Sequence, residues 1–287
     1  MKKRTRHGNS HFRDIVHQLF KNRLAVAGLV IIILTLLIAV FAPVLAPYDY
    51  ALQDYTALLQ GPSMAHPMGT DNLGRDTLSR IIYGARFSLM ISYLSVFGSA
   101  VIGITFGSIA GYFGGAIDNI LMRFLDVYQS IPVMIVSVAL ATALGPGIFN
   151  TTIALAISVS PFFARMARAQ VLTVREMEYI EAAQVINGKS WYIILRHALP
   201  NAFAPLLVNI TMSFGASLLT AATLSFVGLG AQPPSPEWGA MLSFARGFIR
   251  EDPLLIVWPG LTIMINVLAF NLFGDGLRDA LDPRQQK

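Results

Sequence analysis

The placement of charge along this chain is what most limits how it can fold. Five stretches, 24–46, 87–117, 127–164, 198–236 and 253–274, hold no Asp, Glu, Lys, Arg or His, and each reaches the length of a membrane crossing. A helix rises about 1.5 Å per residue, so about 20 apolar residues pass the hydrocarbon layer. Only 13% of the residues are charged, against about 25% in an ordinary soluble domain. The bilayer, rather than a soluble core, therefore takes most of the apolar surface. The stretch 127–164 is too long for one helix and carries Gly145-Pro146-Gly147 near its middle, a strong breaker. Splitting it predicts an all-α integral membrane protein with six spans, at 24–46, 87–112, 127–144, 149–167, 203–228 and 253–274.

Six crossings place both termini on one side, and Lys and Arg decide which. Sixteen lie on the N-terminal side, in 1–23, at Arg123, in 165–198 and after 276, whereas Arg75, Arg80, Arg86, Arg246 and Arg250 lie on the other. The positive-inside rule then predicts cytoplasmic termini. The chain divides into a cytoplasmic tail 1–23, a first transmembrane helix 24–46, an external loop 47–86, a core over 87–275 with five helices and a cytoplasmic loop 169–201, and a cytoplasmic tail 276–287. The basic N-terminus and Val44-Leu45-Ala46 imitate a secretory signal, but the apolar run exceeds a signal core of about 7–15 residues, so an uncleaved anchor is expected.

Composition removes whole classes of chemistry. Without cysteine there is no disulfide, thiolate zinc site, iron–sulfur cluster or cysteine nucleophile. The net charge of +5 follows topology rather than nucleic acid, since no basic patch interleaved with aromatics stands in a soluble segment. No ionisable side chain falls near the middle of a predicted span, where it would cost roughly 2.5–3.5 kcal/mol and mark an ion or proton relay. An ion-gradient-driven secondary transporter, the rival of another class, would show midplane carboxylates or paired half-helices. A membrane enzyme would need clustered nucleophile, base or ligands. Asp118 and Asp126, with Arg123 between them, read as a charged loop without further partners, and His7, His11, His17, His66 and His197 offer no metal-spaced pair inside the membrane. No catalytic residue, metal site or cofactor is expected on this chain. Neutral polar residues such as Ser92, Ser95, Asn209, Thr211, Ser213, Thr223 and Asn266 are expected mostly to bond backbone carbonyls or neighbouring helices, and Gly103, Gly107 and Gly111 to line one helix face for close packing within the chain.

The segment "EYIEAAQVINGKSWYIILRHALPN", residues 178–201, is the most informative. Gly188-Lys189-Ser190 imitates the end of a phosphate loop, but Ala183 stands where the first glycine belongs and no strand precedes it. A helix–turn–helix fits better. Ala182 and Ala183 offer a side without bulk to another protein, Glu181 offers a carboxylate to a donor on it, and Asn187-Gly188 supplies the turn. Pro200 ends the second helix or opens the next span at its first turn.

This segment resembles the EAA loop of binding-protein-dependent ABC importer permeases, whose pattern is E-A-A, three residues, G, nine residues, I, one residue, L-P. Glu181, Ala182, Ala183, Leu199 and Pro200 match; Asn187 stands at the glycine, with Gly188 after it, and His197 at the isoleucine, which predicts a turn shifted or bulged by one residue. Segments 69–86, 228–242 and 270–284 are similar to the dipeptide, oligopeptide and nickel permease family, in particular its C-type subunit. The resemblance implies the type I ABC importer fold in the plasma (inner) membrane. It also implies a coupling helix built on Glu181, Ala182, Ala183, Asn187 and Gly188, with Leu199 and Pro200 fixing its exit, that docks on separate ATPase subunits. Those subunits would bind ATP and Mg, a second homologous permease would complete the path, and an external binding protein would deliver peptide, or alternatively glutathione or a nickel chelate. Within 69–86, Asp71, Asn72 and Gly74 favour a turn and Asp76 can cap a helix from Thr77. In 228–242, Pro233, Pro234 and Pro236 stiffen the backbone, either as a binding-protein contact or as a rigid plug, and Trp238 suits the membrane interface.

Overall fold

The computed structural model describes residues 15–281; His7, His11 and the end of the 270–284 segment lie outside the described residues. Helix α1 is Arg23–Val40, α2 Thr77–Phe113, α3 Gly115–Gln129, α4 Val133–Leu144, α5 Ile148–Arg175, α6 Glu178–Val185, α7 Leu199–Phe226, α8 Trp238–Ala245 and α9 Leu254–Leu281. Among the described residues there is no strand, only an isolated bridge between Thr70 and Asp76.

Local chemistry sets the helix ends. The Asn22 side chain accepts from the backbone N–H groups of Leu24 and Ala25 at 3.1 and 3.2 Å and starts α1. That helix stops at Val40 rather than 46, because Pro43 can neither donate nor fit beside the carbonyl four residues earlier. Asp76 accepts from Ser79 N–H at 2.7 Å and starts α2 ten residues before the expected position 87. Helices overrun the uncharged stretches, and several of the charges they take in are paired: Arg80 with Asp71 at 3.6 Å, Arg165 with Asp126 at 2.9 Å, and Arg168 with both oxygens of Asp118. Asp118 and Asp126 thus have the partners the sequence reading denied them, and they tie α3 to α5.

The third span departs most from expectation. In place of one helix over 127–144, α3 and α4 meet at 87° around Ser130–Pro132. Pro132 interrupts the hydrogen-bond ladder, a break hidden by the absence of charge there. At 12 residues, α4 rises only about 18 Å, against a hydrocarbon layer of about 30 Å. Five helices are long and apolar enough to cross, and the bent pair makes a sixth if it is one span.

Helices α2 and α5 form the most extensive pair. A Cβ at Gly103 would sit 2.4 Å from the Ser160 carbonyl oxygen, one at Gly107 2.1 Å from that of Ala164, and one at Gly111 2.9 Å from that of Arg168. The glycine face is thus spent on packing inside the chain. Polar spots bind the same bundle: Ser99 donates to the Ala156 carbonyl at 2.9 Å, Ser92 to that of Phe214 at 2.7 Å, and the hydroxyls of Ser95 and Ser217 lie 2.7 Å apart. Tyr93, Phe214 and Phe270 fill the space between α2, α7 and α9. Helix α1 packs on α9, with Gly28 against Ala269 and Gly276 against Ala25, and leaves Ile33, Leu34, Leu37 and Val40 exposed, as a lipid-facing helix must.

Candidate functional site: the 176–200 loop and the opposite cap

Helix α5 delivers the chain to the loop. After Glu176 and Met177, α6 opens with Glu178 and Glu181 in its first turn, where the unpaired N–H groups favour carboxylates. Ile180 is fully buried and, with Ile193, Ile194 and Ala198, packs under the loop on Tyr112, Val171 and Val174. Ala183 and Leu199 lean on the same cluster. The two alanines therefore divide: Ala182 faces outward beside Glu181, while Ala183 faces the anchoring cluster.

Asn187 adopts φ +58°, and Gly188 lies outside the left-handed region. The left-handed residue sits where the motif has glycine, so the expected one-residue shift does not occur. Asn tolerates this conformation better than other residues with a Cβ. Gly188 serves a different need: its N–H donates to the Ala183 carbonyl at 3.1 Å, and a Cβ there would lie 2.7 Å from that oxygen. The chain then forms a short helix, Ser190–Ile193, and one π turn, Ile194–Ala198, before Pro200 stands in the first turn of α7. That places Pro200 where its missing N–H costs nothing.

Sequence reasoning missed the apolar surface of this loop. Val185 is 85% exposed and Ile186 81%, and Met177, Tyr179, Trp191, Tyr192 and Leu195 are exposed around them. Phase was the available signal for Val185: Ile180 and Ala183 take the inward face of α6, so Val185, two residues on, points away, while Ile186 caps the helix just past its end. A contiguous apolar patch on a polar segment marks a protein contact.

At the other end of α2, the cap is locked rather than loose. Trp238 is 1% exposed and its indole N–H donates to the Ile81 carbonyl at 3.1 Å, so it lies inside the cap and not at a lipid interface as its type suggested. Glu237, 0% exposed, accepts from the Ser88 hydroxyl at 3.1 Å and from Ala240 N–H at 2.8 Å. Burial pushes its carboxyl above the ordinary glutamate range, against hydrogen bonds that pull it back. Gly84 admits this segment, since a Cβ there would lie 2.5 Å from the Pro236 carbonyl oxygen. The turn Asp71–Gly74 forms as expected, with Gly74 at φ +71° and its N–H donating to Asp71 O at 2.9 Å. His66 and Asp76 pair at 2.9 Å beside it.

A bundle of helices long and apolar enough to cross a membrane, with a helix–turn–helix between two of them, defines a multi-pass membrane protein. An inward-facing MetNI methionine ABC transporter structure matches with a TM-score of 0.59 at 19% identity, covering 71% of this chain and 96% of that one, which gives the type I ABC importer permease fold. Residues 103–287 match the family model described as binding-protein-dependent transport system inner membrane component, and residues 10–62 that of the N-terminal TM domain of oligopeptide transport permease C. The chain belongs to this family of inner membrane permease components. It is 47% identical to the dipeptide transport system permease protein DppC of Alkalihalophilus pseudofirmus over 96% of this chain and 91% of that one. It is 43% identical to the glutathione transport system permease protein GsiD of Pectobacterium atrosepticum, over 95% and 91%, and 43% identical to the probable D,D-dipeptide transport system permease protein DdpC of Escherichia coli, over 94% and 91%.

Proposed function

We propose that this chain is one permease subunit of an ATP-driven importer for short peptides, with cytoplasmic termini, a second homologous permease beside it, ATPase subunits under the 176–200 loop and an external binding protein over the cap. The observation that carries the docking role is the loop itself: Val185 and Ile186 are exposed on a segment anchored from beneath by Ile180, Ile193 and Ile194. A rigid apolar knob of this kind suits a groove on a partner. Glu181 and Ala182 flank it on the outward side, Asn187 and Gly188 close its turn, and Leu199 and Pro200 pass its movement into α7. ATP and Mg belong to the partner subunits. The peptide reading rests on the dipeptide permeases among the relatives; the glutathione permeases support a second reading, itself a tripeptide substrate.

Glu181→Arg tests the docking role. The variant is expected to remain in the membrane, to lose co-purifying ATPase subunits and to abolish uptake of a labelled dipeptide. Unchanged uptake refutes it.

A further inference from the structure

A cavity of about 400 Å³ opens at the cap, between the start of α2, the last turn of α7, the 228–236 segment and α8. Arg75, Arg80 and Arg246 line it, with Gln232, Ser243 and Phe244. Among the described residues their one counter-charge is Asp71, which takes Arg75 Nε at 2.7 Å and lies 3.6 Å from Arg80 Nε. Arg80 also donates to the Tyr50 carbonyl at 3.0 Å. Arg75 and Arg246 rest over the rings of Phe244 and Phe226, at 5.2 and 5.6 Å from the centroids. Among the described residues, Arg246 and the terminal nitrogens of Arg75 have no acceptor. One carboxylate thus stands against three guanidiniums, of which Arg75 and Arg80 share it and are nearly buried, so the cavity keeps an excess of positive charge. Buried charge is costly unless paired, and the planar fork of a guanidinium matches a carboxylate with two parallel hydrogen bonds.

The frame around these donors is rigid. Asp71 accepts from the N–H groups of Leu73 and Arg75 at 2.9 and 3.0 Å, and Gln232 donates to the carbonyls of Gly228 and Gly230, both at 3.1 Å. The cap is held on α2 by Glu237 and Trp238. Donors fixed in advance lose little freedom on binding.

We infer that this cavity receives an aspartate or glutamate side chain of the external substrate-binding protein when that protein docks. The inference rests on the topology under Proposed function, which puts the cap outside. Charge complementarity selects the ligand chemistry, and position selects its source. Every lining residue comes from a helix end or the cap, none from the middle of a span, so the cavity does not continue into the bundle along which a substrate would pass.

The test uses the assembled transporter in lipid nanodiscs and the external binding protein that stimulates its ATP hydrolysis. Arg246 is exposed, so Arg246→Glu leaves the fold and the co-purifying ATPase subunits unchanged. It is expected to weaken capture of the binding protein by about tenfold or more and to flatten its salt dependence, while Arg246→Lys stays within about threefold. Changing the contacting acidic residue of the binding protein to Lys is expected to restore capture by Arg246→Glu. Capture by Arg246→Glu within about twofold of wild type overturns the inference alone. Failure of the wild-type complex to capture any binding protein overturns the importer topology as well. Saturable binding of free Ala-Ala, but not of its C-terminal amide, that Arg246→Glu abolishes would make the occupant a substrate carboxylate and overturn the stated source.

Discussion

Replacing Gly107 by alanine adds one methyl where α2 crosses α5, and the structure fixes how badly it fits. The new Cβ would lie 2.1 Å from the Ala164 carbonyl oxygen and 2.9 Å from its carbon. Carbon–oxygen contacts across helix pairs settle near about 3.3 Å, so the helices must part by about 1.2 Å. A radial gap of about 0.5–1 Å already forfeits a quarter to a half of a van der Waals contact, and that loss spreads to Gly103, Gly111 and the Ser99 to Ala156 hydrogen bond. Overpacking of this kind costs about 1–3 kcal/mol, and Gly107→Ala is expected at the upper end, about 3 kcal/mol. Gly103→Ala, at 2.4 Å, should cost somewhat less, and Gly111→Ala, at 2.9 Å, about 1 kcal/mol or below. Thermal unfolding of the detergent-solubilised protein, followed by fluorescence-detected size exclusion, reads the series as a drop in midpoint of about 6–10 °C for Gly107→Ala. The order 107, 103, 111 is the decisive result. If Gly107→Ala matches wild type, or Gly111→Ala is the worst of the three, the close crossing is wrong.

The cap and the loop give two more tests. Burial raises the Glu237 carboxyl in the folded protein, so its contribution to stability is fully present below the ordinary glutamate range and is lost as pH rises through the raised folded value. The unfolding midpoint of wild type is expected to fall across that window, and Glu237→Gln to flatten the fall; an identical pH profile for both refutes the assignment. At Asn187, held at φ +58°, Gly is expected to preserve ATPase co-purification, whereas Val should weaken it by destabilising the turn by about 1–2 kcal/mol, and equal co-purification by both variants refutes the turn's role.

The class of this protein is written in its charge pattern. Long stretches without charge can only be buried in lipid, and that logic needs no tertiary contact. The sequence likewise sets the cap on α2, since Asp76 before Thr77 is a local instruction, and the helix–turn–helix after Glu178, because turn chemistry at Asn187-Gly188 acts within five residues. Charge as a boundary marker failed at Arg80 and Arg168, which lie inside helices and pair with Asp71 and Asp118. The break at Pro132 went unread within the uncharged run, and the angle between α3 and α4 was beyond sequence in any case, because a missing hydrogen bond permits a bend and packing chooses it. Tertiary structure alone decided that Trp238 turns inward to a carbonyl of α2, that Ala183 supports the loop while Ala182 faces out, and that Arg246 joins Arg75 and Arg80 at one cavity beside Asp71. Each of these depends on which side of a helix meets a neighbour, and a pattern of residue types does not carry the neighbour's position.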